Sequence, residues 1–208
     1  MEHRELHIRT SGRDLPEDSL TIVATFNLLI KVWIVSEVGL LLFTHTRKNG
    51  GALRDRGSLL LLWPAIWLAI VAGGWYSGRH PHTMFHGAHW LFAVALVLLI
   101  AGLILRWTAI LTLGRAFSVN VAIRAGQTVK QDGVYRLVRH PSYTGMLLCI
   151  LGVAVSTRNW IGLLIIIAPI TAALLYRIHV EEAALSGAFG DAYGIYAAKT
   201  RRLIPGIF

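Results

Sequence analysis

A lone cysteine, Cys149, leaves this chain unable to form an intramolecular disulfide or a thiolate metal cluster. Charge is scarce too: 15% of the 208 residues are charged, against about 25% in an ordinary soluble domain. With 55% hydrophobic residues, the composition excludes such a domain and reads as a polytopic membrane protein. Residues 1–19 lack the basic n-region of a signal peptide, mixing three Arg with five carboxylates, so the first apolar run is expected to be retained. The length fits one domain, which puts the functional groups on the helices and their connections.

What the sequence does have is long apolar runs. Five are expected to cross the membrane, at about 20–43, 59–76, 89–111, 143–156 and 160–177. The last two are short for spans, and Ser156-Thr157-Arg158-Asn159 breaks them, predicting a helical hairpin. The expected fold is all-α, an integral membrane bundle of about five helices. Residues 1–111 form a three-span part and 112–208 a second part with a terminal hairpin and tail.

Basic residues set the expected orientation, because Lys and Arg near span ends stay on the cytoplasmic side. Segments 44–58, 112–142 and 178–208 hold twelve of them, and the alternate segments five. This predicts an outer N-terminus and a cytoplasmic C-terminus. The net charge of +9 is spread over these short loops; topology explains it without nucleic acid as a partner. The seven Trp residues are expected to be ordinary interfacial anchors.

Two polar clusters exceed what topology requires. Arg139-His140-Pro141-Ser142-Tyr143-Thr144-Gly145 closes a connection of about thirty residues, 112–142, where about 4 to 6 residues are usual. Lys130 to Tyr135 reads as a turn with Asp132-Gly133 at its tip. Pro141 fits the first position of a helix, whose free N–H groups, with Arg139 and His140, suit a carboxylate or phosphate. About forty residues on, Glu181-Glu182 follows the last apolar run on its helical continuation. Adjacent helical residues diverge by about 100°, so one Glu can accept from a ligand ammonium while the other pairs with Arg. Together the clusters suit a zwitterionic amino acid moiety. Ionisable groups beside membrane helices are functional candidates by default.

The run from Leu113-Gly114-Arg115-Ala116-Phe117-Ser118, through Asp132-Gly133-Val134-Tyr135-Arg136 and Arg139 to Gly145, to Glu181-Glu182 resembles the isoprenylcysteine carboxyl methyltransferase and phospholipid methyltransferase family. So does the tail with Phe189-Gly190, Tyr193, Tyr196 and Arg201-Arg202-Leu203-Ile204-Pro205. The resemblance covers about 110–208. It implies a membrane enzyme that holds S-adenosylmethionine between its last helices and its tail, with the site facing the cytoplasm and a lipophilic acceptor arriving from the bilayer. Carried over by position, Arg139, His140, Pro141, Tyr143 and Gly145 line the methionine end, Glu181 or Glu182 holds its ammonium, and Tyr193 and Tyr196 complete the cofactor site. Gly145, one turn into its helix, would let a ligand approach the backbone. Tyr143 is expected near the sulfonium, and Arg201 or Arg202 would orient an acceptor carboxylate, one of the pair contacting lipid instead. No metal is needed. Phospholipid or small-amine N-methylation, sterol-type NADPH-dependent reduction and non-catalytic lipid binding remain the alternatives.

Two further features stand apart. His80, His82, His86 and His89 lie close together, but Pro81 and Gly87 indicate a loop rather than a zinc-binding helix face. Lys31 falls mid-span with Asn27 one turn before it, and it does not share a face with Glu37. It is expected either to meet a partner on another helix or to line a substrate cavity.

Overall fold

The computed structural model describes residues 17–46, 52–53, 57–85, 90–114, 117, 122–123 and 128–208. The apolar runs form helices: α1 (Glu17–Thr46), α2 (Ser58–Arg79), α3 (Trp90–Leu113), α4 (Pro141–Ser156) and α5 (Trp160–Phe189), followed by a short α6 (Asp191–Lys199). Of these, α1, α2, α3 and α5 are long and apolar enough to cross a membrane. The 16-residue α4 is shorter. The all-helical expectation misses one small feature, an antiparallel pairing of β1 (Ala52–Leu53) with β2 (Ala122–Ile123).

Local chemistry fixes the ends of the terminal hairpin. Pro141 opens α4 at the position where a missing N–H costs nothing. Asn159 caps α5, its Oδ1 accepting from Ile161 N at 3.1 Å and Gly162 N at 2.9 Å. Its amide also donates to His80 O at 3.1 Å and Thr83 Oγ1 at 2.6 Å. Asn159 is 1% exposed, so one side chain ties the α4–α5 turn to the turn after α2. His80 itself stacks on Tyr76, whereas His86 and His89 lie outside the described residues.

The most extensive helix packing joins α3 with α4 and α2 with α5. Lipid offers no hydrophobic gain for helix association, so small residues that let backbones approach do this work. A Cβ at Gly145 would sit 2.6 Å from Arg106 N and 2.7 Å from Gly102 O. One at Gly102 would sit 2.7 Å from Gly145 O and from Cys149 N. Gly145 therefore faces α3. Its bare backbone serves a helix crossing, which corrects the expectation that a ligand approaches there.

Leu99, Cys149, Ile150, Ile166, Ile170 and Leu174 form a fully buried core, to which α1 adds Phe26 and Trp33. Trp33 is 6% exposed and donates Nε1 to Glu37 Oε1 at 3.2 Å, so the interfacial-anchor reading fails for it. Lys31 lies on the exposed face of α1, and the described residues supply it no carboxylate, which corrects the first of its two expected roles, a partner on another helix.

The connections gather at two ends. At one, Met84 pairs with Asn159, and Phe85 N donates to Arg158 O at 2.8 Å. At the other, β1 meets β2 and Val138 pairs with Arg201. That second end brings together the three segments that hold twelve of the Lys and Arg residues.

Candidate functional site

The site forms where the C-terminal tail is sewn onto the entrance of α4. Val138 and Arg201 make a parallel bridge. Arg139 N donates to Arg201 O at 2.7 Å, His140 N to Arg202 O at 3.0 Å and Thr144 Oγ1 to Leu203 O at 2.8 Å. The expected turn is a 3-10 segment, Gly133–Arg136, with Gly133 at φ 57, a value glycine adopts freely. Tyr135 in that segment is buried, and its carbonyl accepts from Tyr196 OH at 2.7 Å. The tail therefore closes over residues 133–144 through both backbone and side chains.

Glu182 is the hub. Its Oε1 accepts from Arg139 Nε at 2.8 Å and lies 3.3 Å from His140 Nε2. Its Oε2 accepts from Arg202 Nε at 3.0 Å, with Arg202 Nη2 at 2.9 Å. Arg139 also donates Nη1 to Ala197 O at 2.8 Å and Thr200 O at 2.5 Å. One carboxylate thus faces two guanidiniums and an imidazole. Even with His140 neutral, this end keeps an excess of positive charge.

Glu181 points elsewhere, as adjacent helical residues must. Its Oε2 accepts from Tyr143 OH at 2.7 Å, joining α5 to α4. The same hydroxyl accepts from Arg177 Nε at 3.2 Å, and Arg177 Nη1 donates to Ser58 Oγ at 2.5 Å. Arg177 is 1% exposed. Among the described residues, Tyr143 supplies the hydrogen bond that Glu181 accepts, leaving the other oxygen open to a further donor.

The two tail tyrosines differ. Both are 4% exposed, but Tyr196 spends its hydroxyl on Tyr135, whereas the buried Tyr193 OH has no partner among the described residues. A buried hydroxyl without a partner is costly in a finished core. Burial pushes the Tyr196 phenol up to about 12 and that of Tyr193 higher still. Both are neutral at working pH and able to donate.

The structure unites Arg139, His140, Pro141, Tyr143, Glu181, Glu182, Tyr193, Tyr196 and Arg202 at this end, and leaves Arg201 exposed on the surface beside them. It does not bring in Gly145, which packs on α3. Arg139 and His140 were expected to face a ligand carboxylate; in the structure they hold Glu182. Sequence reasoning missed Arg177, treating it as a basic residue at a span end. Its place one helical turn before Glu181 was the available signal. Also missed was the buried pair of Glu37 with Arg106, since Glu37 was compared only with Lys31 along its own helix. Arg115 and Arg124 of the long connection lie outside the described residues.

A multi-pass helical membrane protein with its charged groups gathered at one end of the terminal helix pair is the class that this fold and site define. Residues 94–187 match the model of the isoprenylcysteine carboxyl methyltransferase (ICMT) family, and through this region the chain is similar to that family. It is similar to protein-S-isoprenylcysteine O-methyltransferase B of Arabidopsis thaliana, 36% identical over 118 residues that make up 56% of this chain and 60% of that protein. The Schizosaccharomyces pombe protein-S-isoprenylcysteine O-methyltransferase is 35% identical over 113 residues, 53% of this chain and 48% of its own length. The matches thus span about half to three fifths of these relatives. A solved structure of the eukaryotic intramembrane Ras methyltransferase ICMT superposes with a TM-score of 0.68 at 26% identity, covering 91% of this chain and 68% of that one. The fold likeness therefore extends over the N-terminal helices, which the family model does not reach.

Proposed function

We propose that the protein is an integral membrane methyltransferase that uses S-adenosylmethionine to methylate a lipophilic acceptor bearing an isoprenylcysteine-like carboxylate. The observation that carries this reading is the division of labour between the two glutamates. Glu182 sits in a cationic nest that retains a positive excess, while Glu181 is held out by Tyr143 with an oxygen to spare. A zwitterion with its carboxylate by Arg139 and His140 and its ammonium on Glu181 satisfies both.

The residues fit this donor, and the orphan hydroxyl of Tyr193 gives it a further partner. Bound there, S-adenosylmethionine supplies a sulfonium methyl group for in-line displacement by the acceptor oxygen. The protein's part is to align and to exclude water. Tyr143 is fixed from two sides, by Glu181 and Arg177, so its ring and hydroxyl stay put during transfer. A carboxylate acceptor is already ionised at neutral pH, so no general base is required of the chain. The bias of Lys and Arg towards the site's end of the bundle supports a cytoplasmic site and an outer N-terminus.

Purified protein in detergent is expected to bind S-adenosylhomocysteine and not NADPH, and preference for NADPH would overturn the reading in favour of a reductase. Tyr193→Phe sharpens the test. Because its hydroxyl has no partner among the described residues, the variant should fold with unchanged melting temperature while binding the ligand about 3- to 10-fold more weakly. Unchanged affinity would place that hydroxyl outside the ligand site.

The two tail arginines should separate as well. Arg202 is bonded to Glu182 whereas Arg201 is exposed, so Arg202→Ala is expected to lower methyl transfer by about tenfold. Arg201→Ala, touching head groups, should lose no more than about twofold at moderate salt. Full activity in both, or a larger loss at Arg201, would defeat this division.

A further inference from the structure

Beside the site, buried in the bundle, lies a polar chain that the proposed chemistry does not use. Glu37 of α1 and Arg106 of α3 are each 4% exposed and form a forked ion pair. Arg106 Nε and Nη2 both donate to the Glu37 carboxylate, the second at 2.5 Å. The remaining arm, Nη1, donates to Ser142 O at 3.1 Å and Ser142 Oγ at 2.9 Å. From the other side, Trp33 Nε1 donates to Glu37 at 3.2 Å. Three helices are thereby linked through one guanidinium.

The place where this chain ends is what gives it meaning. Ser142 is the second residue of α4, one peptide before Tyr143, whose hydroxyl meets Glu181 at 2.7 Å. Arg106 also lies at the crossing where its backbone approaches Gly145. Any shift of the guanidinium is therefore passed to the first turn of α4, which carries the polar end of the site. A buried ion pair is poor evidence of added stability, since two desolvated charges do little better than apolar residues of the same size. Its better-attested use is to fix a register. The fork of Arg106 accepts only one planar arrangement with Glu37, and so sets a single position for the start of α4.

We infer that Glu37, on a helix outside the family-matched region, is a positioning residue that acts through Arg106 and Ser142 to hold Tyr143 against Glu181. It touches neither donor nor acceptor. The inference builds on the proposed donor site, but its structural part stands without it.

Glu37→Gln, Trp33→Phe and Ser142→Ala, each reconstituted in nanodiscs, test the idea by two readouts. Amide hydrogen exchange should rise in residues 141–146 and stay unchanged in the α4–α5 turn. Affinity for S-adenosylhomocysteine should fall by about tenfold for Glu37→Gln and about threefold for the other two. KM for a prenylated carboxylate acceptor should hold within about twofold, a split that general loss of folded protein cannot produce. Should Glu37→Gln not fold, the two milder variants carry the same test. Unaltered exchange at 141–146, or donor and acceptor parameters falling together, would overturn the positioning role. Failure of the unsubstituted protein to bind S-adenosylhomocysteine would instead overturn the proposed donor, leaving the exchange result to decide on Glu37.

Discussion

Glu181→Gln is expected to weaken S-adenosylhomocysteine binding by about 10- to 100-fold while leaving the fold intact. A hydrogen bond to a charged group is worth about 1.5–3 kcal/mol, and about 1.4 kcal/mol is one factor of ten. Gln keeps an oxygen for Tyr143 OH, so the α4–α5 contact survives and only the charge facing the ligand ammonium is lost. Glu182→Gln makes the informative contrast. It strips the counter-charge from Arg139 and Arg202 together, so it should lower both binding and melting temperature. Calorimetric titration with a thermal melt on the same samples separates the two. Unchanged binding in Glu181→Gln would move the ammonium seat elsewhere.

Gly145→Ala is expected to be strongly damaging for so small a substitution. The added methyl would lie 2.6 Å from Arg106 N and 2.7 Å from Gly102 O, and backbone atoms in two packed helices cannot step aside as a side chain can. Overpacking typically costs about 1–3 kcal/mol and occasionally more. Here the forced separation of α3 from α4 also pulls Arg106 off Ser142. Folded yield should fall steeply, and the remaining protein should melt several degrees lower. Gly74→Ala is the control, because nothing lies within 4 Å of its added Cβ. Equal melting temperatures for the two variants would show that the helices are not held at backbone contact.

The divergence of Glu181 and Glu182, with one of them on an Arg, was legible because it depends on helix geometry alone: neighbours on α5 must diverge, and they do. The start of α4 was legible for a similar reason, Pro141 having one natural place in a helix. The hairpin break was also readable, although the cap and cross-links made by Asn159 were not. What failed was whatever depends on a distant helix. Gly145 was assigned to a ligand because its own helix gave no hint of Gly102 opposite. Glu37 went unexplained because its partner lies 69 residues away. Lys31 was expected to meet a partner or line a cavity because of the cost of an intramembrane charge, and the fold turns it outward with no carboxylate partner among the described residues. Trp33 was counted with the interfacial tryptophans, although its depth in α1 made it available to Glu37.

Methyl transfer itself decides the function. The reconstituted protein would be given S-adenosylmethionine labelled in its methyl group, together with a prenylated cysteine bearing either a free carboxylate or a carboxamide. Base-labile label is expected in the carboxylate only, as a methyl ester, and is expected to be lost in Glu181→Gln. No incorporation into the carboxylate, or label that survives base, would contradict it.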